Sequence, residues 1–366
     1  MDIKQESQTL EHILNAPTKD HSAFHAELHK IQELDSKNGT LNVDQYHRDM
    51  AAIEKQLQAD GYLPKLKLFL DNKRPSDNGS TRAEADKPHE AGNPRIEPTG
   101  GKLYEMHGLK HATGEYATPD AMVLLPKDFD PNKPIHLVVY NHGWNDNVKT
   151  AYESTHLAEQ MAKAPPNTVL IVPEWQISPH SSGTLGGEQG AFADKNFVSG
   201  MVQDIFDKTP ELKNKTLADV DQIGIISHSA GFNPTKSELD NNEEFSKKVN
   251  SVTLLDSLYK GDICDNWLKA NINDLSAGRK HFHNIFTGGT APQSKAQAER
   301  IKGMLRDAHL STDSVSTDYQ HDREDEKSGH LIKHSIVFRS TATEHPEIPK
   351  RYPRIIEAAA NGDDTV

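Results

Sequence analysis

The sequence predicts an α/β protein: a doubly wound, mostly parallel sheet preceded by a small helical N-terminal segment. Two observations carry that prediction. From residue 102 onward, short and nearly continuous apolar runs alternate with helical patterns, which is how strands buried on both faces read. One of those runs, Ile223-Gly224-Ile225-Ile226, passes directly into Ser227-His228-Ser229-Ala230-Gly231. That S-x-S-x-G turn has the form of a strand-to-helix elbow that lifts a serine hydroxyl off the end of a sheet.

Taken in order, residues 1–70 read as helical. Leu10, Ile13 and Leu14, then Leu28, Ile31 and Leu34, fall at helical spacing, and a second helix over 43–59 sets Tyr46, Met50, Ile53 and Leu57 on one face. Between them lies Asp35-Ser36-Lys37-Asn38-Gly39. Its likeness to a calcium loop fails, because placing Gly39 at the sixth loop position puts Leu34 where a carboxylate is required. A plain polar helix–helix turn is expected. Residues 71–101 lose almost all apolar character and read as a polar linker. The catalytic-domain candidate is 102–366. Its strands are expected at 102–107, 121–125, 135–140, 168–173, 223–226, 249–255, 282–287 and 335–339, with helices over 152–164, 197–207, 294–309 and 348–360.

Bulk properties narrow the function. The chain has 366 residues and a net charge of -13, which disfavours nucleic acid and anionic membrane surfaces as partners. Hydrophobic content of 34% is low for one compact body, as expected if a polar section dilutes an ordinary core. Cys264 is the single cysteine, so no disulfide forms within the chain. No apolar run approaches the roughly 18 residues that cross a bilayer, so no integral membrane segment is expected. Met1-Asp2-Ile3-Lys4 opens without an apolar signal region, which points to a cytoplasmic location and leaves signal-independent export open.

Ser229 is the candidate nucleophile. A serine hydroxyl needs a base to take its proton and donors to hold the oxyanion. Small residues on either side permit the tight turn; here they are Ser227, where Gly is usual, and Gly231. Pro234 fits the opening turn of the following helix, whose first N–H groups have no partners. The run Tyr140-Asn141-His142-Gly143-Trp144 ends a strand and reads as an oxyanion loop, with the N–H groups of Trp144 and Ala230 as donors and His142 pinning the loop. Asp256 follows the strand over 249–255 and is the candidate acid; the next strand runs out through Thr287-Gly288-Gly289-Thr290 and offers none. His345, after the last strand, is the candidate base, with His330 and His334 as alternatives. His142, Gly143, His228 and Trp175 are the candidate substrate-binding residues, Trp175 following Glu174 at a strand end. His330 and His334 have the spacing of a helical metal pair without the accompanying Glu, so no metal is expected.

Tyr140-Asn141-His142-Gly143, Ser227-His228-Ser229-Ala230-Gly231, Leu254-Leu255-Asp256 and Thr343-Glu344-His345 come in the order of the α/β-hydrolase fold superfamily, which residues 102–360 resemble. The resemblance implies an open sheet with the site at the strand carboxyl ends, a nucleophilic serine and no cofactor. It implies esterase, lipase, thioesterase, amidase or peptidase chemistry without choosing a substrate. Two departures stand out: Ser227 in place of Gly, and the unusually polar stretch 233–248. The expectation is a serine hydrolase cleaving a carboxylic ester of a small-molecule or acyl substrate. An amidase or peptidase, or an inactive binding protein on the same scaffold, are the alternatives. The N-terminal helices would cover the site, bind a partner protein or serve delivery.

Overall fold

The structure, a computed structural model, describes residues 93–112, 119–143, 146–175, 194–319 and 334–361, together with Gln8 and residues 36–37 and 40–41. The chain divides into two compact units, Met1–Pro88 and His89–Val366. In the first unit, strand β1 (Ser36–Lys37) pairs antiparallel with β2 (Thr40–Leu41). Ser36 and Lys37, within the stretch read as a helix–helix turn, are therefore strand residues. Asn38-Gly39 is a dipeptide that favours a two-residue hairpin, a signal the sequence reading did not use. The helices expected over 1–70 lie outside the described residues, apart from Gln8, which is helical.

The second unit is built on one ten-stranded sheet in the order β11-β12-β10-β9-β8-β6-β7-β5-β4-β3. The central strands are β6 (Ile135–Asn141), β7 (Thr168–Pro173), β8 (Val220–His228), β9 (Val249–Leu255) and β10 (His281–Phe286). With β11 (Val315–Asp318) and β12 (Ile336–Ser340) they are parallel throughout. Beyond β7 the sheet turns antiparallel through β5 (Ala121–Leu125), β4 (Lys102–Met106) and β3 (Arg95–Ile96). The expected mostly parallel α/β sheet is therefore present. Strand β3 falls within the stretch read as linker, and β11 was not expected; two to four residues leave too short a pattern to recognise.

Helices cover both faces. Along β6, Leu137 and Val139 join one apolar cluster while Val138 and Tyr140 join another, the period-two alternation of a strand buried on both sides. The first cluster takes in α3 (Phe197–Lys208), α4 (Phe232–Asp240), α5 (Glu243–Lys248), α6 (Asp265–Ala270), α7 (Ile272–Ser276) and α8 (Ala291–Asp307). The second takes in α1 (Val148–Ser154), α2 (Leu157–Met161), α9 (Ile348–Arg351) and α10 (Ile355–Asn361). Two expected helices are broken. His156 adopts a left-handed conformation (φ 53°) that splits 152–164. Tyr352, at φ -111° and ψ 77° ahead of Pro353, interrupts 348–360, since a residue before proline is pushed out of helical backbone. No helix among the described residues is long and apolar enough to cross a membrane.

The last helix, α10, presses its small Ala358-Ala359-Ala360 face onto the central strand. Gly224 on β8 makes this approach possible: a Cβ there would land on the Ala359 carbonyl, far inside van der Waals contact. Ala359 also accepts a hydrogen bond from Ser251 of β9 at 2.7 Å, so the helix cannot simply slide away. Gly224→Ala should lower the urea midpoint at an unchanged m-value, with a loss of about 2–3 kcal/mol, the usual cost of overpacking a core. A loss under about 0.5 kcal/mol, the size of an ordinary surface change, would show that this contact yields easily.

Candidate active site

Register alone collects the site. Asn141, Ser227, Leu254, Asn284 and Phe338 pair successively across β6, β8, β9, β10 and β12. Gly143, Ser229 and Asp256 each lie two residues beyond that line, at the carboxyl ends of adjacent strands. Ligand sites of open α/β sheets form at this edge.

Ser229 opens the 3₁₀ turn Ser229–Gly231 that leads into α4, and its φ of 52° is left-handed. Such backbone costs a non-glycine residue on the order of 1–3 kcal/mol and persists only where the surroundings enforce it. Three contacts do so. Gly231 lets the turn close, because a Cβ there would strike the Asn141 carbonyl oxygen. Ser257 Oγ donates to the Ser229 carbonyl at 2.7 Å. Ser257 therefore has no proton left for Ser227 Oγ, 2.5 Å away, so Ser227 is the donor in that bond. Ser227, which departs from the usual Gly, is thus the first link of a hydroxyl bridge that ties the elbow to the loop after β9.

Asp256 also sits at positive φ (47°), with its N–H on the Ile285 carbonyl at 2.7 Å. Its carboxylate is nearly fully buried and receives four hydrogen bonds. Oδ2 accepts from His345 Nδ1 (2.7 Å) and Thr287 Oγ1 (2.7 Å); Oδ1 accepts from the Thr287 N–H (3.0 Å) and from Thr290 Oγ1. The segment after β10 that offers no acid thus supplies donors to one. Burial opposes ionisation, but the His345 hydrogen bond and charge, with the Thr287 and Thr290 bonds, hold the Asp256 pKa down at about 2. Because a carboxylate only accepts, His345 Nδ1 carries a proton, which leaves Nε2 as the ring nitrogen facing away from Asp256.

His345 begins a short 3₁₀ turn, His345–Glu347, after β12. The ring of His228 stacks on it at 4.9 Å, and His228 Nε2 lies 3.1 Å from the His345 carbonyl. A carbonyl can only accept, so His228 donates from Nε2. Burial, then the neighbouring His345, lowers the His228 pKa to about 3, which leaves it neutral. Tyr259 completes the cluster: its ring meets His345 edge-on at 6.5 Å and tilts against Phe232 at 5.8 Å. Burial and the nearby Asp256 push the Tyr259 pKa up, so it stays a neutral donor. Of the alternative bases, His334 is exposed at the amino end of β12, across the sheet from Ser229, and His330 lies outside the described residues.

The loop after β6 abuts the elbow, since a Cβ on Gly143 would meet Ser229 Cβ at 3.0 Å and His228 Nδ1 at 3.2 Å. His142 is buried with its Nε2 3.2 Å from Glu174 Oε1 and its Nδ1 3.0 Å from the Gly143 carbonyl. Burial disfavours its charge, but Glu174 outweighs this and raises its pKa. Trp175, expected at the pocket, is 3% exposed, and its Nε1 donates to Asn141 Oδ1 at 2.7 Å. Ala230 is the first residue after Ser229, among the leading N–H groups that a helical start leaves over. Trp144 lies outside the described residues. Sequence reasoning missed Ser257, Tyr259, Thr287, Thr290 and Asn141. Only Thr287 and Thr290 carried a signal, as hydroxyls at the end of a strand beside the acid.

The mixed ten-stranded sheet covered by helices on both faces, with Ser229 and Asp256 at the ends of neighbouring parallel strands, agrees with the α/β-hydrolase fold that the sequence resembles. No protein-family model and no curated protein matches the sequence. Among solved structures, the chain is similar to a feruloyl esterase module from Clostridium thermocellum at 16% identity, covering 75% of this chain and 95% of that one with a TM-score of 0.44. It is also similar to fluorophosphonate-binding serine hydrolase F of Staphylococcus aureus, at 10% identity, 72% and 100% coverage and a TM-score of 0.45. An S-formylglutathione hydrolase from Agrobacterium tumefaciens gives 10% identity, 71% and 94% coverage and a TM-score of 0.40.

The lowered Asp256 pKa makes a stability prediction. A carboxylate depressed in the folded state stabilises above its unfolded pKa and loses that contribution as pH falls through the folded one. Wild type should exceed Asp256→Asn by a pH-dependent margin of about 2 kcal/mol above about pH 4, shrinking toward pH 2, in denaturant melts. A margin constant over that range would contradict the assignment.

Proposed function

We propose that the protein is a serine hydrolase that cleaves a carboxylic ester through an acyl-enzyme. The observation that supports this reading is the Asp256–His345 pair at 2.7 Å, with Asp256 at the end of the strand next to the one that leads into Ser229, whose backbone is left-handed. In the proposed cycle, His345 Nε2 removes the Ser229 proton as Oγ attacks the ester carbonyl. The N–H groups of Ala230 and Trp144 receive the oxyanion. Collapse of the tetrahedral intermediate expels the alkoxide, which takes the proton from His345. Water then gives a proton to His345, attacks the acyl-enzyme and releases the carboxylic acid with Ser229 restored. Asp256 holds the His345 tautomer that this requires and stabilises the imidazolium; it stays ionised throughout. His228 keeps the ring in place from the opposite face.

A fluorophosphonate probe tests the reading. Wild type should gain one phosphonyl adduct by intact mass and Ser229→Ala none. With p-nitrophenyl acetate, Ser229→Ala and His345→Ala should each lose at least about a thousandfold in kcat, as triad deletions do. Absence of labelling in folded wild type would favour the inactive binding scaffold, and faster turnover of anilides than of esters would favour an amidase.

We further propose that the Tyr259 hydroxyl, whose ring lies against His345, shares a hydrogen bond with Ser229 Oγ in this scheme. Tyr259→Phe should therefore lower kcat about tenfold with KM nearly unchanged, the size expected for one hydrogen bond made at a reacting atom. An unchanged kcat would remove Tyr259 from the mechanism.

A further inference from the structure

Behind the elbow lies a buried polar cluster that hydrolysis itself does not use. Asn141, the last residue of β6, is fully buried, as are Thr235 and Glu238 on α4. Asn141 Nδ2 donates to Thr235 Oγ1 at 2.9 Å and to Glu238 Oε2 at 2.8 Å, while Asn141 Oδ1 accepts from Trp175 Nε1 at 2.7 Å. The indole can only donate, so this amide orientation is settled, with both Nδ2 protons and one Oδ1 lone pair in use. One side chain thereby joins the end of β6, the residue pair after β7 and the helix that follows Ser229. The His142-Gly143 loop leaves directly from Asn141.

Glu238 is the anomalous member. Its Oε2 accepts one bond, and its Oε1 is buried with no hydrogen-bond partner. The charged groups on α4 and on the elements around it are engaged elsewhere. Lys236 pairs with Asp240, Lys247 with Glu243, Asp265 with Arg300, and Lys248 Nζ binds the Val220 carbonyl. His136 at the far end of β6 faces Gln222, His142 faces Glu174, and His228 faces His345. Asp221, Glu244 and Lys269 are exposed. A carboxylate with one neutral donor and no cation costs far more to bury than the neutral acid with one unused hydroxyl. Burial accordingly pushes the Glu238 pKa up to about 8, against the lowering effect of the Asn141 bond.

We propose that Glu238 is a positioning residue that acts as the neutral acid: protonated, it stays buried against Asn141 at the root of the His142-Gly143 loop beside Ser229, whereas the ionised carboxylate finds too few donors there and is drawn toward water, which breaks the Asn141 bond and lowers turnover. The activity side of this proposal rests on the serine hydrolase reading above; the protonation side does not.

The test compares the full chain with Glu238→Gln, which keeps the shape and cannot ionise. In p-nitrophenyl acetate hydrolysis from about pH 6 to about pH 10, wild-type kcat should fall about tenfold on an ionisation near pH 8, whereas the Gln variant should match wild type at pH 6 and hold its rate. Urea unfolding provides the second arm. The folded pKa is raised above the ordinary value of 4.5, so wild type loses stability relative to Glu238→Gln as pH rises from 4.5 to about 8 and no further above that. Superimposable pH–rate profiles would overturn the positioning role, and a stability difference independent of pH would overturn the neutral acid. A wild type that neither hydrolyses the ester nor takes the fluorophosphonate defeats the hydrolase reading instead, and the unfolding arm still decides the state of Glu238.

Discussion

Parallel register is the constraint from which the site follows. Once β6, β8 and β9 are paired so that Asn141, Ser227 and Leu254 stand in line, the backbone beyond each has nowhere to go but the same edge. The chemistry-bearing residues need no long reach: Gly143, Ser229 and Asp256 come within range because each leaves its strand at the same level. His345 is brought in on the far side by β12, whose own register with β10 puts Ser340 opposite Phe286. The sheet is thus the positioning device, and the loops only finish what pairing begins.

What pairing cannot do is orient the side chains, and there the molecule accepts local strain. Ser229 and Asp256 both adopt left-handed backbone without glycine. Each is held by bonds to its carbonyl or side chain from a neighbouring loop: Ser257 on the Ser229 carbonyl, Thr287 and Thr290 on the Asp256 carboxylate. Ser257, which restrains Ser229, is the residue next to Asp256 on the loop after β9, so Ser229 and Asp256 are not positioned independently. Polar burial beneath them has the same logic. The stretch after the elbow is polar because Thr235 and Glu238 are there to meet Asn141, which explains a helix whose composition looked wrong for packing on a sheet.

Much of this was legible in the chain. The strands over 121–125, 168–173 and 249–255 were read with the bounds they have, because near-continuous β-branched and leucine runs between turn residues leave few alternatives. Helix limits were less readable. His156 breaks its helix through a left-handed residue that no composition signal marks, and the interruption at Tyr352 needed Pro353 to be weighed against a strong apolar pattern. At the site, Ser229 and Asp256 were visible from their places after strands. Ser257, Tyr259 and Asn141 were not, because a hydroxyl or amide becomes a partner only when another segment is brought against it, and that depends on register rather than on local sequence.

The ten-stranded sheet closes at its two ends on strands of only four residues, Val315–Asp318, and two, Arg95–Ile96. Arg95 on the shorter one is tied to Glu97 at 2.8 Å. An open sheet this wide would otherwise present a long ladder of unmatched N–H and C=O groups, a template for a strand from another molecule. Tapering both margins to so few residues, with a charged pair on one of them, leaves little for a foreign strand to join. The same architecture that lines up Ser229 and Asp256 along the strand ends therefore limits edge-to-edge pairing along its sides.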